Sequence, residues 1–519
     1  MLRSIIRQIA SLQILLGIVM IIPGIVSVIY REWYSLLGFV ISGLIVSGIG
    51  FLIYKSLKGA PDPAHKESLI IAALGWLMII ILGGVPYFII AHITPLNVMQ
   101  SFVPLGETYV SSLMNFRNPL HCIFESTSAF TTTGLTMAYH EPSVGYSVLF
   151  YRSFSQWVGG AGFIVMALAI FKQIPGQSAV LLYGSEASGT KVRSNVIQTA
   201  RAIWKVYLLV TAFSFLFIFI GTYFILPDYP LGRNIFDAVN HSMAGQSTGG
   251  FSVLDDSIAG YHSAKMDALF ILPMLLGGMS IPFLFRIIFL KDFKEFWYDI
   301  QTRAILLASI LGSVVLSLFL IGSGGVVSPW REGIFQFISA LTTTGWQTSA
   351  IGSWDDAPVL FIVVTAMVVG GAAGATVGGI KIIRALLLQK GLRWHINKIF
   401  LSKNTVKTIK FNGKLLLPNE MNRELAKTGM FVLMYLLFVF ISTIVTLYLM
   451  KGDFGLADAL FESASAQGTV GLSSGITDPS MSSGLELVYI FQMWSGRIEI
   501  IPILVVIRLF LYGMKPRKI

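Results

Sequence analysis

Phe130-Thr131-Thr132-Thr133-Gly134-Leu135 is the first of four similar segments in this chain. The other three are Gln246-Ser247-Thr248-Gly249-Gly250-Phe251, Leu341-Thr342-Thr343-Thr344-Gly345-Trp346 and Gln467-Gly468-Thr469-Val470-Gly471-Leu472. In each segment a threonine precedes the shared glycine by two residues, and a bulky apolar residue follows it. Four copies in one polypeptide are enough to close a ring without a second subunit. We name the repeated cores the Thr-x-Gly segments: Thr132-Thr133-Gly134, Thr248-Gly249-Gly250, Thr343-Thr344-Gly345 and Thr469-Val470-Gly471.

The composition is typical of a membrane protein. Of 519 residues, 55% are hydrophobic and only 12% are charged, and the mean hydropathy is +0.74. A soluble protein carries about twice that charged fraction, and a helix needs about 20 apolar residues to cross the bilayer. Ten runs are close to that length: Ser11–Tyr30, Tyr34–Tyr54, Ser68–Ile93, Val148–Phe171, Ala202–Leu226, Ala268–Leu290, Ala304–Gly322, Val359–Leu388, Gly429–Met450 and Leu487–Tyr512. The sequence therefore predicts an all-α polytopic membrane protein.

The net charge of +11 is concentrated on one side of the predicted spans. Lys381–Lys427 holds eleven Lys and Arg against two Glu. On the other side, five Lys and Arg stand against fifteen Asp and Glu in Thr94–Tyr146, Leu226–Lys265, Ser323–Pro358 and Lys451–Glu486. Because cytoplasmic loops carry the basic excess, we expect cytoplasmic N- and C-termini, and no nucleic-acid partner. The single cysteine, Cys122, excludes internal disulfides and a thiol metal cluster.

A half-helix is predicted before each Thr-x-Gly segment, on the acidic outer side. These stretches are too short to cross the membrane: Pro119–Phe130, Asn234–Gln246, Arg331–Leu341 and Gly455–Gln467. Asn118 followed by Pro119 is typical of a helix start. The predicted unit is a helix, a half-helix, a Thr-x-Gly segment and a second helix, repeated four times around one pore per protomer after two N-terminal helices. Its predicted boundaries are 1–60 for the N-terminal helices, 61–175, 198–300, 301–392 and 428–519 for the four repeats, and 393–427 for a basic cytoplasmic linker.

The Thr-x-Gly segments are candidate cation ligands. Non-helical backbone at membrane depth is tolerated only where it lines a water-filled cavity or is buried in protein. Each half-helix directs its partly negative C-terminal end toward the centre, which favours a cation. Glycine permits the backbone turn that aims successive carbonyls at one axis. Short Thr-Gly runs also occur in ordinary membrane loops, but four copies in the same place between helices favour a ring.

A glycine pair recurs in the helix after each segment, as Gly159-Gly160, Gly277-Gly278 and Gly370-Gly371. The second glycines lie 26, 28 and 26 residues beyond the segment glycine. In the fourth repeat Arg497 takes that place. Charged residues at this depth rarely face lipid, so we expect Arg497 to face the ion path and limit cation flow. The alternative is a structural ion pair with Glu499 or with the opposite wall of the bundle.

The third repeat contains Gly-Gly-Ala-Ala-Gly-Ala-Thr-Val-Gly-Gly at 370–379. Each glycine costs a helix about 1 kcal/mol relative to alanine, so we expect a glycine-rich intramembrane loop between two half-helices, able to occlude the pore and to move. A kinked helix is the alternative. The candidate gate residues are Gly370, Gly371, Gly374, Gly378, Gly379, Lys381 and Arg497. The stretch lacks the G-x-G-x-x-G spacing and a preceding strand, so we expect this chain itself to bind no nucleotide.

Several motifs carry a resemblance to a known family: Met20-Ile21-Ile22-Pro23-Gly24, Arg152-Ser153 with Gln156-Trp157-Val158-Gly159-Gly160, Gly378-Gly379-Ile380-Lys381, and Gly496-Arg497-Ile498-Glu499. Over nearly its whole length the chain resembles the TrkH subunits of bacterial Trk potassium-uptake systems, within the superfamily that includes KtrB and the plant HKT transporters. The two N-terminal helices favour TrkH over KtrB. Thr469-Val470-Gly471 also matches the core of the potassium-channel filter signature.

The resemblance implies that K⁺ is the transported ion and that carbonyls of the twelve Thr-x-Gly residues bind it. It implies a gate formed by the glycine-rich loop and Arg497, a homodimer, and a cytoplasmic TrkA-type ring that binds NAD(H) or ATP. The expected location is the inner or plasma membrane of a bacterium or archaeon. Glycine at all four positions implies a preference for K⁺. Gly249, where the other repeats have Thr or Val, and the lack of a following Tyr-Gly imply weaker selectivity than in potassium channels.

Two transport mechanisms remain open at the level of sequence. One is a ligand-gated K⁺ channel, and the other is a K⁺ symporter coupled to H⁺ or Na⁺. The paired intramembrane carboxylates of a proton relay are missing, although Glu499 keeps symport open. No metal-ligand cluster, nucleophile–base motif or phosphate loop in the sequence points to a membrane enzyme.

Several charged residues also have two interpretations. Glu125, Glu462 and Asp237 either raise the local cation concentration or hydrogen-bond backbone amides beside the Thr-x-Gly segments. Arg152 is expected to pair with such a carboxylate or to extend to the membrane surface. The basic stretch Arg393–Lys427 either docks a cytoplasmic partner or lies on anionic lipid.

Overall fold

The computed structural model describes residues 2–513 except 62, 64, 164, 166–195, 324–325, 355 and 401–407. The end of the predicted span Val148–Phe171, part of the basic linker and the basic C-terminal tail lie outside the described residues. The rest is almost entirely helical, with one two-stranded hairpin among the described residues.

Two long N-terminal helices form a tight pair. They run over Leu2–Ile21 and Trp33–Ser56, with a short helix, Gly24–Ile29, between them. Their backbones meet at Gly17, where a Cβ atom would lie 2.6 Å from the carbonyl oxygen of Gly43. Small residues permit this approach, which is typical of helix pairs in membranes. The pair is joined to the first repeat by Glu32, whose carboxylate accepts from the N–H groups of Tyr146 and Ser147 at 2.6 and 3.0 Å.

Four units follow, each with a first helix, a half-helix and a second helix. The first helices are His65–Leu82 with Val85–Ile93, Val196–Ile225, Ile300–Ser323 and Pro418–Leu449. The half-helices are Pro119–Phe130, Leu231–Gln246, Pro329–Leu341 and Leu456–Gly468. The second helices are Tyr146–Gly160, Ala264–Gly278, Ala357–Val369 and Ser483–Ile498. Short helices lie at Leu96–Gln100, Ser112–Arg117, Glu141–Val144, Ser257–Tyr261, Glu295–Tyr298 and Ile351–Ser353.

The first half-helix begins and ends where the sequence predicts. The Asn118 side chain accepts from the Leu120 N–H at 3.0 Å, which confirms the predicted N-cap. The other three half-helices end within one residue of the predicted positions. Local signals therefore define these elements well, since a capping residue, a proline and a short apolar stretch suffice.

The second helices are broken more often than predicted. Beyond Gly278 the chain turns by 98° into Ile281–Leu290, and beyond Glu499 it restarts as Ile500–Tyr512. The sequence predicts one apolar span in each of Ala268–Leu290 and Leu487–Tyr512, whereas the structure divides each run into two helices. Among the described residues, six helices are long and apolar enough to cross a membrane, or seven if the bent pair is one span. The position of the break is common to the repeats, because each second helix ends near its glycine pair or, in repeat 4, near Gly496-Arg497.

The repeats are arranged in a closed cycle. The second helix of repeat 1 packs on the half-helix of repeat 2, and the same contact joins repeats 2 and 3 and repeats 3 and 4. The second helix of repeat 4, Ser483–Ile498, packs on Pro119–Phe130 and returns to repeat 1. The outer surface of the long helices carries large exposed apolar side chains, such as Phe213 and Phe440. Such a surface is suited to lipid, not to water.

The predicted linker 393–427 is partly folded. The helix Ile382–Ile399 enters it, the hairpin Ile409–Phe411 with Lys414–Leu416 follows, and Pro418–Leu449 begins inside it. Asn412 and Gly413 form the turn, both with positive φ, as a two-residue type I′ hairpin requires. A small apolar core made by Leu387, Trp394, Ile409 and Met421 holds this module together.

Candidate functional site

All four half-helices end in the same way. The first Thr of each Thr-x-Gly segment has a left-handed backbone: φ is 59° at Thr132, 51° at Thr248, 52° at Thr343 and 48° at Thr469. The next residue donates its N–H to a carbonyl five residues back, at 2.8–2.9 Å. This is the Schellman ending, which normally has glycine at the left-handed position. A β-branched residue there costs about 1–3 kcal/mol, so four such threonines mark a shared structural demand.

The four segment glycines form a closed ring of contacts. Gly134, Gly250, Gly345 and Gly471 all have positive φ, from 77° to 103°. A Cβ atom on Gly134 would lie 2.5 Å from the Gly249 carbonyl oxygen of repeat 2. Cβ atoms on Gly250, Gly345 and Gly471 would overlap the carbonyl oxygens of Thr344, Val470 and Thr133 in turn. Each glycine therefore abuts the carbonyl that precedes the glycine of the next repeat, and the fourth abuts the first.

The predicted ring thus brings all twelve Thr-x-Gly residues together. Above it lies a cavity of about 550 Å³, whose floor includes the four glycines. Acidic side chains of Glu141, Asp255 and Asp256 line this cavity. Burial raises the pKa of Asp255 above its ordinary value, and His140, 3.5 Å away, opposes that shift. The cavity is open, acidic and centred on the ring, as an entrance for cations would be.

In repeats 1, 2 and 4 the chain beyond the segment glycine is held by a buried residue of its own half-helix. Glu125 accepts from the Met137 N–H at 2.8 Å, and Glu462 accepts from the Ser474 N–H at 2.9 Å. In repeat 2 His241 occupies this position and lies 3.2 Å from the Ser252 hydroxyl. Of the two interpretations of Glu125 and Glu462, the structure therefore favours hydrogen bonding to the backbone beside the ring.

The other predicted charges have structural partners as well. Arg152 donates to Glu125 at 2.6 Å and to the Ser252 carbonyl of repeat 2 at 3.2 Å. The prediction that Arg152 pairs with a half-helix carboxylate is confirmed. Asp237 pairs with Arg233 at 2.9 Å and accepts from Tyr229 at 2.5 Å.

The glycine-rich loop lies directly against the Thr-x-Gly ring. The Thr376 hydroxyl is 3.0 Å from that of Thr248, and the Gly378 N–H donates to the Thr343 hydroxyl at 3.2 Å. A Cβ atom on Gly378 would also overlap the hydroxyl of Thr469. The loop therefore contacts the left-handed threonines of repeats 2, 3 and 4.

The ends of the loop meet, and its middle is attached to repeat 2. Gly370, Gly374 and Gly379 have positive φ, and a Cβ atom on Gly379 would lie 3.2 Å from the Gly370 Cα atom. The Gly374 carbonyl accepts from the Ile281 N–H at 2.9 Å, just beyond the bend in the second helix of repeat 2. Gly371 packs on the Gly278 carbonyl, 3.0 Å from where its Cβ atom would be. The prediction of a loop is confirmed over that of a kinked helix.

Arg497 connects three repeats at this level. Its guanidinium donates to the Gly159 and Gly160 carbonyls of repeat 1 at 2.5 and 2.8 Å, and to the Thr376 carbonyl of the loop at 2.8 Å. Glu499 is bound by Lys381 at 3.2 Å and by Arg384 at 2.8 Å. Lys381 therefore fastens the end of the loop to the break in the last repeat.

Sequence reasoning missed two residues at the ring. Thr376 carries four contacts of the loop: its hydroxyl reaches the Thr248 hydroxyl and two backbone carbonyls of repeat 2, and its carbonyl accepts from Arg497. Gln156 of repeat 1 is hydrogen-bonded to the backbone of repeat 2. A signal for Gln156 was present, because the equivalent positions of the other repeats are Met274, Met367 and Met493. The reason for glutamine at this position becomes clear only from its neighbour in the structure, the backbone around Gly249.

The fold and the ring define a class, that of polytopic helical membrane transport proteins built from four half-helix repeats. The family model described as "TrkH: Cation transport protein" matches residues 68–512. The chain therefore belongs to the TrkH family of cation transport proteins.

The relatives agree with this assignment. An uncharacterized cation transporter of Methanocaldococcus jannaschii is 30% identical over 95% of this chain and 92% of its own length. The Trk system potassium uptake protein TrkH of Escherichia coli is 28% identical over 97% of this chain and 98% of its own length. In fold, the crystal structure of the potassium transporter TrkH from Vibrio parahaemolyticus matches with a TM-score of 0.77 and 24% identity. That match covers 99% of this chain and 100% of the other.

Proposed function

We propose that this chain takes up K⁺ across the plasma membrane, with the ion bound by carbonyl oxygens of the Thr-x-Gly ring. The closed cycle of glycine–carbonyl contacts supports this proposal, because backbone oxygens of all four repeats take part in it. Such rings replace the hydration shell of a monovalent cation. The names of the Escherichia coli and Vibrio relatives support K⁺ as the ion. An inward-negative potential would drive uptake by about 2.3 kcal/mol per charge per 100 mV.

The proposed ligands are the twelve residues of the ring, entered from the acidic cavity. Of the four threonines, Thr248, Thr343 and Thr469 contact the glycine-rich loop, and Thr132 holds the equivalent position in repeat 1. The four glycines, Gly134, Gly250, Gly345 and Gly471, line the cavity. An ion would therefore pass the glycine layer first and the threonine layer last. The chain would hold K⁺ only as cargo, and it would bind no nucleotide itself.

We further propose that the loop and Arg497 form the gate. In the conformation described here the loop covers three of the four threonines, and Arg497 fastens it to the carbonyl end of Tyr146–Gly160. Opening would require Arg497 to release either the Thr376 carbonyl of the loop or the two carbonyls of repeat 1. The two bonds between the loop and the threonine layer and the bond from Ile281 to Gly374 would also break. Hydrogen bonds to charged groups contribute about 1.5–3 kcal/mol each, so those of Arg497 would be the strongest.

The regulatory partner belongs to the same proposal. A cytoplasmic TrkA-type ring that binds NAD(H) or ATP would dock on the module formed by the hairpin Ile409–Leu416 and its flanking helices, and the chain would form a homodimer. The module is basic, with exposed Lys410 and Arg423, and it is joined to the loop through the helix Ile382–Ile399. A Lys410→Glu/Arg423→Glu double variant should weaken binding of the regulator. Unchanged binding with reduced attachment to anionic vesicles would assign the module to lipid.

Flux measurements in liposomes test the function directly. The purified protein should carry K⁺ down an imposed K⁺ gradient without movement of H⁺ or Na⁺. Flux that needs an H⁺ or Na⁺ gradient would favour the symporter, for which Glu499 is the candidate carboxylate. Absence of K⁺ flux from a folded protein, with and without the regulator, would refute K⁺ uptake.

A further inference from the structure

A polar side chain of repeat 1 is bound to the ring segment of repeat 2. The Gln156 amide nitrogen donates to the Gly249 carbonyl at 2.5 Å, and the amide oxygen accepts from the Phe251 N–H at 3.1 Å. Gln156 and Phe251 are fully buried. One planar amide therefore holds the backbone on both sides of Gly250.

Two exceptions to the fourfold pattern meet at this contact. Gln156 lies 22 residues beyond Gly134, and the residues 22 beyond Gly345 and Gly471 are Met367 and Met493. In repeat 2 the residue three before the glycine pair is also methionine. The middle residue of the Thr-x-Gly segments is a second position at which one repeat departs from the other three. It is Gly249 in repeat 2, and Thr133, Thr344 and Val470 in the others.

Space explains why the exceptions occur together. A Cβ atom on Gly249 would lie 2.5 Å from the Gln156 amide oxygen and 2.8 Å from its nitrogen, closer than real Cβ atoms approach. The amide therefore occupies the volume that a Thr or Val side chain would need. In repeats 1 and 3 that side chain is tied locally, because the hydroxyls of Thr133 and Thr344 lie 2.8 Å from those of Thr131 and Thr342.

Without the two hydrogen bonds of Gln156, the segment that contains Gly249-Gly250 would be the most flexible of the four. Two consecutive glycines have the widest choice of backbone angles, so the peptide between them could rotate its carbonyl away from the axis. The amide of Gln156 opposes that rotation by binding the Gly249 carbonyl and the Phe251 N–H at once. It also takes one of the two lone pairs of the Gly249 oxygen.

We propose that Gln156 is a positioning residue that sets the ion selectivity of the ring. This inference rests on the proposed K⁺ uptake. The carbonyls of Thr133, Thr344 and Val470 offer their full field to the ion, whereas that of Gly249 is shared with a hydrogen-bond donor. Selectivity in a carbonyl ring depends on the number, field and rigidity of the dipoles. Gln156 acts on all three at one point of the ring without touching the ion.

A double-mutant cycle tests the proposal. Wild type, Q156M, G249T and Q156M/G249T would be reconstituted into liposomes, and the K⁺/Na⁺ flux ratio and the half-saturating K⁺ concentration would be measured. Q156M should lower the K⁺/Na⁺ ratio by roughly three- to tenfold, the size expected for the loss of a hydrogen bond. G249T should lower it as well, because its side chain meets the amide. The double variant should recover the ratio, since it gives the contact between repeats 1 and 2 the methionine and threonine that occur at the equivalent positions of repeats 2 and 3.

Two further variants separate selectivity from general structure. M493L changes the equivalent position of repeat 4 with little change in volume and should leave the ratio unchanged. Q156L also removes the amide without burying a charge, so it should lower the ratio as Q156M does; it stands in for Q156M if that variant does not fold. A wild-type ratio in folded Q156M or Q156L, or an equal loss of K⁺ and Na⁺ flux, would overturn the proposal. If the wild type carried no K⁺, the proposed function itself would fail instead.

Discussion

The Thr-x-Gly ring and the glycine-rich loop against it are both rich in small residues, but they are held very differently. The ring repeats the same bonds four times: a left-handed threonine, a Schellman ending and a glycine packed on the next carbonyl. The loop occurs once, and each of its contacts differs, with Thr248, Thr343 and Arg497 as separate partners. Hydrogen bonds that are repeated in all four repeats make the ring stiff. The hydrogen bonds of the loop each occur once, as the proposed release of the loop would require.

The largest effect is expected from the ring. In Gly471→Ala the new Cβ atom would overlap the Thr133 carbonyl at a position with φ of 92°, so the segment must move. We expect K⁺ flux to fall by about 100-fold or more, since strain of this kind costs about 3 kcal/mol. Liposome flux is the measurement. Gly429→Ala is the matched control, because nothing lies within 4 Å of its Cβ position; equal effects of the two variants would contradict the ring.

The loop should respond in the opposite direction. Arg497→Ala removes three hydrogen bonds that fasten the loop to repeat 1, so basal K⁺ flux should rise by about tenfold. Flux without regulator is the measurement, and Arg508→Ala, at an exposed position of the last helix, is the control. Unchanged or abolished flux in a folded protein would argue against Arg497 as a barrier.

The buried carboxylates that hold the ring segments should contribute different amounts to the free energy of unfolding in repeats 1 and 4. Glu125→Gln breaks a buried ion pair with Arg152 and should lower the free energy of unfolding by about 3 kcal/mol. The Glu462 carboxylate instead accepts from neutral groups, which include the N–H groups of Ser474 and Thr477. Glu462→Gln should therefore lower the free energy of unfolding by only about 1–2 kcal/mol. Denaturation in detergent compares the two. An equal loss would mean that the ion pair adds nothing to the hydrogen bonds.

The smallest effect is expected from the threonine of the loop. Thr376→Val keeps the shape of the side chain but removes the hydroxyl, which contacts the Thr248 hydroxyl and lies 3.3 and 3.4 Å from the Gln246 and Gly277 carbonyls. Basal K⁺ flux should rise about threefold. Thr365→Val is the control, because that hydroxyl bonds only to the preceding turn of its own helix at Phe361. A fall in flux with Thr376→Val would suggest that the hydroxyl serves conduction, not closure.

Prediction from sequence succeeded where the signal is local. The half-helix Pro119–Phe130 follows from a cap, a proline and a short apolar stretch, and the loop at 370–379 follows from its glycines. It failed at the 98° bend after Gly278, because a glycine pair in an apolar run is compatible with both a straight and a broken helix. The break there depends on the loop of repeat 3, whose Gly374 carbonyl takes up the freed N–H of Ile281.

The sequence by itself determined the half-helices, the six long apolar helices of the described residues and the four segment glycines with positive φ. Run length, capping and backbone preference decide these features, and they act within one element of the chain. Only the tertiary structure decided which carbonyl each glycine meets, that Arg497 binds Gly159 and Thr376, and that Gln156 faces Gly249. These partners lie 338, 121 and 93 residues apart in the chain. No local preference acts over such distances, so the cyclic packing of the four repeats selects them.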